Sequence, residues 1–520
     1  MAQEKITQLD LQAAPNYQNK HPNLQQWGFR TLSVVSFAVM TLILQHSGFQ
    51  KQWDALSDIS HESGAFQWMN VPLDWQDPSD DLRASIAMIR LNATDRKDYK
   101  GSLFINPGGP GGSGVWYVKT LGQMYQTIVG KNYDIIGFDP RGIGMTRPLI
   151  DCWNRYQHNV ELWALSRPPV IDAHPGILYD AYAQAGAFSK QCASTSGGGP
   201  RPGIKDAAER RVQEAGPVRF VGAASVARDM LEMTEKLGEE KLKFWGFSYG
   251  TVLASMFGTL FPDKVGRIVS DGNVDIRGWM MGSAVHFIDD AHKIMSAFYH
   301  LCYLARPSRS IKKKPVIVPA QNSSSGRPEL IFSPLAEALA GLEVGNGEPF
   351  LKAQGVSKDP ITCDNEPELK TDLAEGTADA FVAIMCSEAN LLLDTPDDLQ
   401  KYVDTLTNLS TVTGAIMAQD FRLQCAGWTV RSKWNFTSPF TANPACPILF
   451  IANSADNHTS LAAPSKCKAA VVNAYFQNGT LPENELVCEA DIKPFDPVEV
   501  GSMSGDEVDF AMYRLMNHGA

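Results

Sequence analysis

The sequence predicts an α/β fold built on a mostly parallel central sheet, and three observations lead to this class. Short apolar runs of strand length recur at residues 102–106, 133–139 and 267–272. Helical patterns separate these runs, and strands that alternate with helices are typical of a parallel sheet. The pentapeptide Gly246-Phe247-Ser248-Tyr249-Gly250 then joins one apolar strand directly to an apolar helix.

That pentapeptide has the pattern of a nucleophile elbow. A strand that turns sharply into a helix needs glycine on both sides of the central residue, because a Cβ there would clash. The turn would lift the Ser248 hydroxyl above the sheet, with the positive end of the helix dipole beneath it. The alternative is a chance G-x-S-x-G in a chain with 42 glycines. The strand before the pentapeptide and the helix after it favour the elbow, which makes Ser248 the candidate nucleophile.

Length and composition limit the class of protein further. The chain has 520 residues, of which 44% are hydrophobic and 20% charged, so it can form a core fold plus a large insertion. Its net charge of −11 argues against nucleic acid as a partner, since nucleic acids are bound through clustered Lys and Arg. The ten histidines show no spacing typical of metal ligands, so no metal is expected.

A glycine-rich loop at residues 107–114 follows the strand 102–106. Part of it matches G-x-G-x-x-G, which suggests a dinucleotide site. However, Pro110 lies inside the turn, and Asp134, the acidic residue near the required distance, begins a strand instead of ending one. We therefore expect no cofactor, and expect the loop to offer backbone N–H groups to an oxyanion.

The organisation along the chain is predicted from changes in periodicity. Residues 1–26 form a polar tail, 27–46 a signal-anchor or signal segment, and 65–275 the first part of the core. Helical patterns dominate residues 276–430, which we interpret as an inserted cap. Strand character returns at 447–453, so residues 431–495 complete the core and 496–520 form a tail.

Two features indicate the secretory pathway. The apolar stretch 32–44 follows Lys20 and Arg30, and positive residues before such a segment hold the N-terminus in the cytoplasm. All six N-x-S/T sequons lie after it; besides Asn457, the candidate glycosylation sites are Asn92, Asn322, Asn408, Asn435 and Asn478. The chain is expected to be a single-pass membrane protein with a lumenal or extracellular domain, tethered through 27–46, or to be secreted. The alternative is a cytosolic protein in which this stretch is a buried helix.

Four segments together resemble a known family. They are NPGGPGGSG (106–114), DIIGFDPRGIGMTRP (134–148), WGFSYGTVLASMFGTLFPDKVGRIVSDG (245–272), and PILFIANSAD (447–456) with the later CKAAVVNAYFQNGTLPENELVC (467–488). Over most of residues 65–490 the chain resembles the secreted tripeptidyl aminopeptidase-like branch of the prolyl aminopeptidase family of α/β-hydrolases. The resemblance implies an α/β-hydrolase fold and a serine hydrolase whose helical cap shapes a site for peptide N-termini.

The resemblance also assigns roles by position. It makes Ser248 the nucleophile, Asp456 the acid and His458 the general base, and it places the oxyanion hole at the backbone N–H groups of Gly109 and Tyr249. An aminopeptidase needs an acidic group in the cap for the substrate ammonium, and Glu388 stands where the family has one. Three disulfides would also fit the family: Cys152–Cys192, Cys386–Cys425 and Cys467–Cys488. Because the nine cysteines are odd in number, at least one thiol is free or pairs with another chain.

The sequence departs from the family between the acid and the base. Asp456-Asn457-His458 leaves one residue where a helix and the final strand are expected, and a parallel crossover needs about a dozen residues or more. The last helix–strand unit of the core is therefore missing, through a real shortening or a mispredicted splice junction. Two residues span at most ~7 Å, so a tight loop could still carry both groups. Asp271, near the end of the strand 267–272, is an alternative acid, although a structural role in the turn after the strand is favoured.

The leading functional hypothesis is a serine exopeptidase that cleaves peptide or amide bonds through an acyl-enzyme. A second hypothesis is an esterase or amidase that acts on a small metabolite. A third, favoured by the shortened junction, is a catalytically silent hydrolase-fold protein. Peptides or small molecules are the expected substrates, and the sequence predicts no particular oligomeric state.

Overall fold

The computed structural model describes residues 65–153, 169–200 and 203–491, the last range without 294–295, 297–299, 301–335, 339, 342–343, 350–377, 391, 437–438, 442, 453–464 and 485. Several predicted features lie outside the described residues: the tails 1–26 and 496–520, the apolar segment 27–46, Asn322, and the proposed acid and base Asp456 and His458. Within the described ranges, no helix combines the length and the hydropathy needed to span a membrane.

A seven-stranded sheet forms the centre of the fold, in the order β1-β2-β4-β3-β5-β6-β7. Its strands are β1 Ala65–Pro72, β2 Arg83–Leu91, β3 Gly101–Asn106, β4 Tyr133–Phe138, β5 Leu242–Phe247, β6 Val265–Asp271 and β7 Leu449–Ile451. β1 pairs antiparallel with β2 and β2 antiparallel with β4, whereas the pairs from β4 through β7 are all parallel. The predicted mostly parallel sheet is confirmed, and an antiparallel pair, β1 and β2, extends it at one edge.

Helices cover both faces of this sheet. The α-helices are α1 Gly114–Val129, α2 Ile177–Ser196, α3 Ala207–Ala215, α4 Ala223–Lys236, α5 Tyr249–Leu260, α6 Ile276–Met280, α7 Ala378–Glu388, α8 Pro396–Leu409, α9 Gly414–Phe421 and α10 Lys466–Asn478. Short 3₁₀ helices lie at Pro217–Phe220, Pro262–Lys264, Val285–Phe287 and Leu423–Cys425. Local sequence explains where several of them begin. Ser113 caps α1 by accepting a hydrogen bond from the Trp116 amide, and Thr395 forms a reciprocal capping box with Asp398 at the start of α8.

Two hydrophobic clusters hold the helices against the sheet. On one face, side chains of α1 and α10 such as Tyr125 and Phe476 pack with Trp245 of β5. On the other face, α4 and α5 pack with Phe244 and its neighbours, and residues of α7 join the same cluster. Continuous apolar strands such as β3 and β4 are buried along their whole length because both faces are covered.

A third cluster connects the predicted cap to an earlier helix. Apolar residues of α8 and α9 pack with Ile177, Leu178 and Ala181 of α2, which lies in the sequence assigned to the first part of the core. All three disulfides implied by the family resemblance are present: Cys152–Cys192, Cys386–Cys425 and Cys467–Cys488. Among the described residues, Cys446 is a free cysteine.

The sheet ends at β7 within the described part of the chain. β7 has three residues, and its central side chain, Phe450, is 63% exposed. The exposed edge lies where the sequence leaves one residue between Asp456 and His458 in place of a helix and a strand.

Candidate active site

The predicted elbow is present at the end of β5. Ser248 joins β5 to α5 with φ 52° and ψ −116°, and it is the one non-glycine residue with positive φ among the residues described. Such a conformation is strained for a residue with a Cβ and persists only where the surroundings impose it. Glycine is required at 246, because a Cβ there would lie 2.5 Å from the carbonyl oxygen of Gly250, and a Cβ on Gly250 would be tight, 3.1 Å from the carbonyl oxygen of Asn106. The side chain of Ser248 is partly exposed at the start of the helix.

The glycine-rich loop lies directly against this elbow. Gly108 has φ +92°, and a Cβ there would clash with the carbonyl oxygen of Phe247 and lie 3.0 Å from both the Ser248 Cβ and the Tyr249 amide nitrogen. The Gly108 amide is held by the Asn106 side chain, at 3.0 Å. The next residue, Gly109, is exposed. The loop therefore brings the segment containing Gly109 beside the amide of Tyr249, as an oxyanion hole requires.

Asp139, directly after β4, holds the end of the glycine-rich loop that leads into α1. Its carboxylate accepts hydrogen bonds from the Ser113 hydroxyl at 2.6 Å, the Val115 amide at 3.0 Å and the Met145 amide at 2.8 Å. Burial raises the pKa of Asp139 to about 6, although these donors favour its charged form. A role for this residue was not predicted; the available signal was an acidic residue that directly follows the apolar run of β4.

Of the candidate acids and bases of a triad, Asp271 lies within the described residues. Asp456 and His458 lie outside the described residues. The alternative acid, Asp271, is buried at the end of β6, where its backbone oxygen accepts from the Ser248 amide at 3.0 Å. Its carboxylate accepts from the Trp245 indole at 3.1 Å. This bond ties Asp271 to the neighbouring strand, in line with a structural contribution to the turn.

Glu388, expected at the substrate ammonium, is buried behind the elbow at 3% exposure. Its carboxylate accepts from the Tyr249 hydroxyl at 2.8 Å, from the Trp279 indole at 2.7 Å and from the backbone amide of Ala223. Burial raises its pKa to about 7, although all three donors act in the opposite direction. Sequence reasoning missed Trp279, because an indole on a short helix has no distinguishing motif.

Comparison with known proteins agrees with this geometry. Residues 101–300 match the family model described as the alpha/beta hydrolase fold. Together with the strand order and the elbow, this match defines the class: the chain is an α/β-hydrolase-fold protein.

Curated relatives are similar to about two fifths of the chain. Serine protease Hip1 of Mycobacterium tuberculosis is 34% identical over 205 residues, which are 39% of this chain and 35% of that protein. Tripeptidyl aminopeptidase of Streptomyces coelicolor is 34% identical over 214 residues, 40% of this chain and 35% of that protein. The chain thus spans about a third of the length of these relatives. The predicted resemblance is confirmed: the chain has an α/β-hydrolase fold and is similar to these proteins.

A solved structure, proline iminopeptidase from Mycobacterium smegmatis, is 11% identical with a TM-score of 0.29; the similarity covers 78% of this chain and 86% of that one.

Proposed function

We propose that the protein is a serine hydrolase of the peptidase type. The observation that carries this proposal is the strained Ser248 at the elbow, with the glycine loop packed against it. In the proposed mechanism His458, oriented by Asp456, takes the proton of the Ser248 hydroxyl, and the oxygen attacks the carbonyl carbon of the substrate. The amides of Gly109 and Tyr249 stabilise the oxyanion, and His458 then protonates the leaving amine. Water hydrolyses the acyl-enzyme by the same steps.

The peptide preference is supported by the relatives, whose names are serine protease and tripeptidyl aminopeptidase. An exopeptidase should prefer substrates with a free amino terminus. The test is a panel of tripeptidyl p-nitroanilides, each paired with its N-acetylated counterpart, assayed with the wild type and Ser248→Ala. We expect hydrolysis of the free-amine substrates, its loss in the variant, and slower hydrolysis of the acetylated ones. Hydrolysis that persists in Ser248→Ala would overturn the mechanism.

A second candidate, an ester hydrolase, is supported by similarity to carboxylesterase B of Mycobacterium tuberculosis, at 31% identity over 163 residues, 31% of this chain and 27% of that protein. Short-acyl p-nitrophenyl esters in the same panel separate the two candidates. Ester turnover without any turnover of the peptidyl anilides would favour the esterase. Folded protein that hydrolyses neither class would favour a catalytically silent protein.

We also propose that the chain enters the secretory pathway. Three disulfides support this location, because disulfides persist in oxidising compartments. Four candidate glycosylation sites have exposed side chains: Asn92, Asn408, Asn435 and Asn478. The side-chain nitrogen of Asn435 donates to the backbone oxygen of Glu388 at 3.2 Å when its amide is turned to match its hydrogen-bond partners. Asn435 is therefore less available for glycosylation than the other three. Glycopeptide mass spectrometry after eukaryotic secretion tests the proposal, and a wholly unmodified product retained in the cytosol would contradict it.

A further inference from the structure

A buried carboxylate connects the cap side of the molecule to the nucleophile elbow. Glu388 is the last residue of α7, and each of its three donors belongs to a different element: Tyr249 to α5, Trp279 to α6 and Ala223 to α4. The disulfide Cys386–Cys425 holds the same end of α7. This one side chain therefore fixes where α7 lies relative to three elements around the elbow.

Among the hydrogen-bond partners of Glu388, Tyr249 is the residue next to the proposed nucleophile. It follows Ser248 directly, and its backbone N–H is one of the two proposed oxyanion donors. Its ring packs on Trp279, with 5.2 Å between ring centroids, and its hydroxyl donates to Glu388. Both the ring and its polar end are therefore held. Because an oxyanion donor must lie within a few tenths of an ångström of its position, anchoring the side chain of this residue also constrains its amide.

We infer that Glu388 is a positioning residue, which holds the Tyr249 side chain and thereby the oxyanion-binding amide, and that it does not bind the substrate ammonium. The inference rests on the proposed function, since it concerns the same elbow.

Three observations argue against ammonium binding. A carboxylate offers about four acceptor positions, and protein donors occupy three of those of Glu388. With 3% of the residue exposed, an incoming amine would have to displace the Tyr249 hydroxyl or the Trp279 indole. A cation is also already near: the Arg431 guanidinium contacts the backbone oxygens of Cys386 and Glu388, at 2.8 and 3.5 Å. The Glu388 carboxylate is therefore suited to hold Tyr249 in position and not to bind the substrate ammonium.

The experiment compares Glu388→Gln and Tyr249→Phe with the wild type. Tyr249→Phe keeps the backbone amide and the ring but removes the hydroxyl that Glu388 holds, so it remains informative if Glu388→Gln folds poorly. Glu239→Gln is the matched control. Glu239 is also largely buried, but it accepts from the Ser102 amide at 2.7 Å and pairs with Lys243 at 2.6 Å, at the amino ends of β3 and β5. Fluorophosphonate labelling rates are measured together with kcat and KM for tripeptidyl p-nitroanilides and their N-acetylated counterparts.

If Glu388 positions Tyr249, both variants should lower kcat and the labelling rate about tenfold or more. The decrease in kcat should be the same for free-amine and N-acetylated substrates, and KM should stay within about twofold of the wild-type value. Glu239→Gln should change neither. An increase of KM confined to free-amine substrates would overturn the inference in favour of an ammonium site. Unchanged kinetics in both variants would overturn it as well. Absence of Ser248-dependent labelling in the wild type would instead refute the proposed function, and the inference with it.

Discussion

The raised pKa of Glu388 gives a quantitative prediction about stability. Burial raises this pKa from its ordinary 4.5 to about 7, so between these pH values the folded protein binds a proton that the unfolded chain releases. The stability that Glu388 contributes is therefore fully present below pH 4.5 and is lost as the pH rises to about 7. At ~1.4 kcal/mol for each pH unit between the two values, the full loss is about 3–4 kcal/mol. Most of this loss of stability, roughly 2–3 kcal/mol, occurs between pH 5 and pH 8.

The perturbation is Glu388→Gln, which cannot titrate. The free energy of unfolding is measured by urea denaturation with tryptophan fluorescence, for both proteins, at pH 5 and pH 8. The difference between their pH dependences isolates Glu388, since other groups with perturbed pKa values, such as Asp139, titrate in both proteins and cancel. We expect the wild type to lose roughly 2–3 kcal/mol more than the variant on going from pH 5 to pH 8. Equal pH dependence in both would refute the reasoning.

Three further predictions concern the scaffold. Gly108→Ala should slow fluorophosphonate labelling about tenfold or more, because the residue has φ +92° and a Cβ would clash with the elbow; a normal labelling rate would show that the loop tolerates displacement. Arg141→Met should lower the free energy of unfolding by ~3–5 kcal/mol, because it leaves the buried Asp229 carboxylate without its ion pair, and urea denaturation that gives wild-type stability would contradict this. Replacing both Cys386 and Cys425 by Ser should remove about 4 kcal/mol for a separation of 39 residues, measured by thermal and urea unfolding; an unchanged midpoint would show that the bond adds nothing.

Much of the fold could be predicted from the sequence because its signals are local. Apolar runs bounded by glycine and proline marked β3, β4, β5 and β6, and the alternation with helices predicted their parallel pairing. The elbow was predictable for a similar reason: Gly246 and Gly250 are needed where the backbone turns at Ser248. The three disulfides came from the family resemblance, since spacing alone leaves many pairings open.

What the sequence did not reveal depends on contacts between distant residues. Glu388 lies 139 positions after Tyr249, and its burial depends on three elements that meet only in the folded chain. The family resemblance indicated an acidic residue at position 388. The sequence did not show that three hydrogen-bond donors of the protein surround its carboxylate. Asp139 was missed for the same reason, since its partner Ser113 lies 26 positions earlier, at the start of α1. The packing of α2 with α8 and α9 likewise follows from tertiary structure and has no local motif.

Whether Ser248 is an activated nucleophile is measured by fluorophosphonate labelling, with location of the adduct by mass spectrometry. The full chain is expressed through a secretory pathway beside Ser248→Ala, with folding of both checked by circular dichroism. We predict one adduct, on the peptide containing Ser248, and none in the variant. A folded wild type that does not label, or an adduct that persists in Ser248→Ala, would contradict the account.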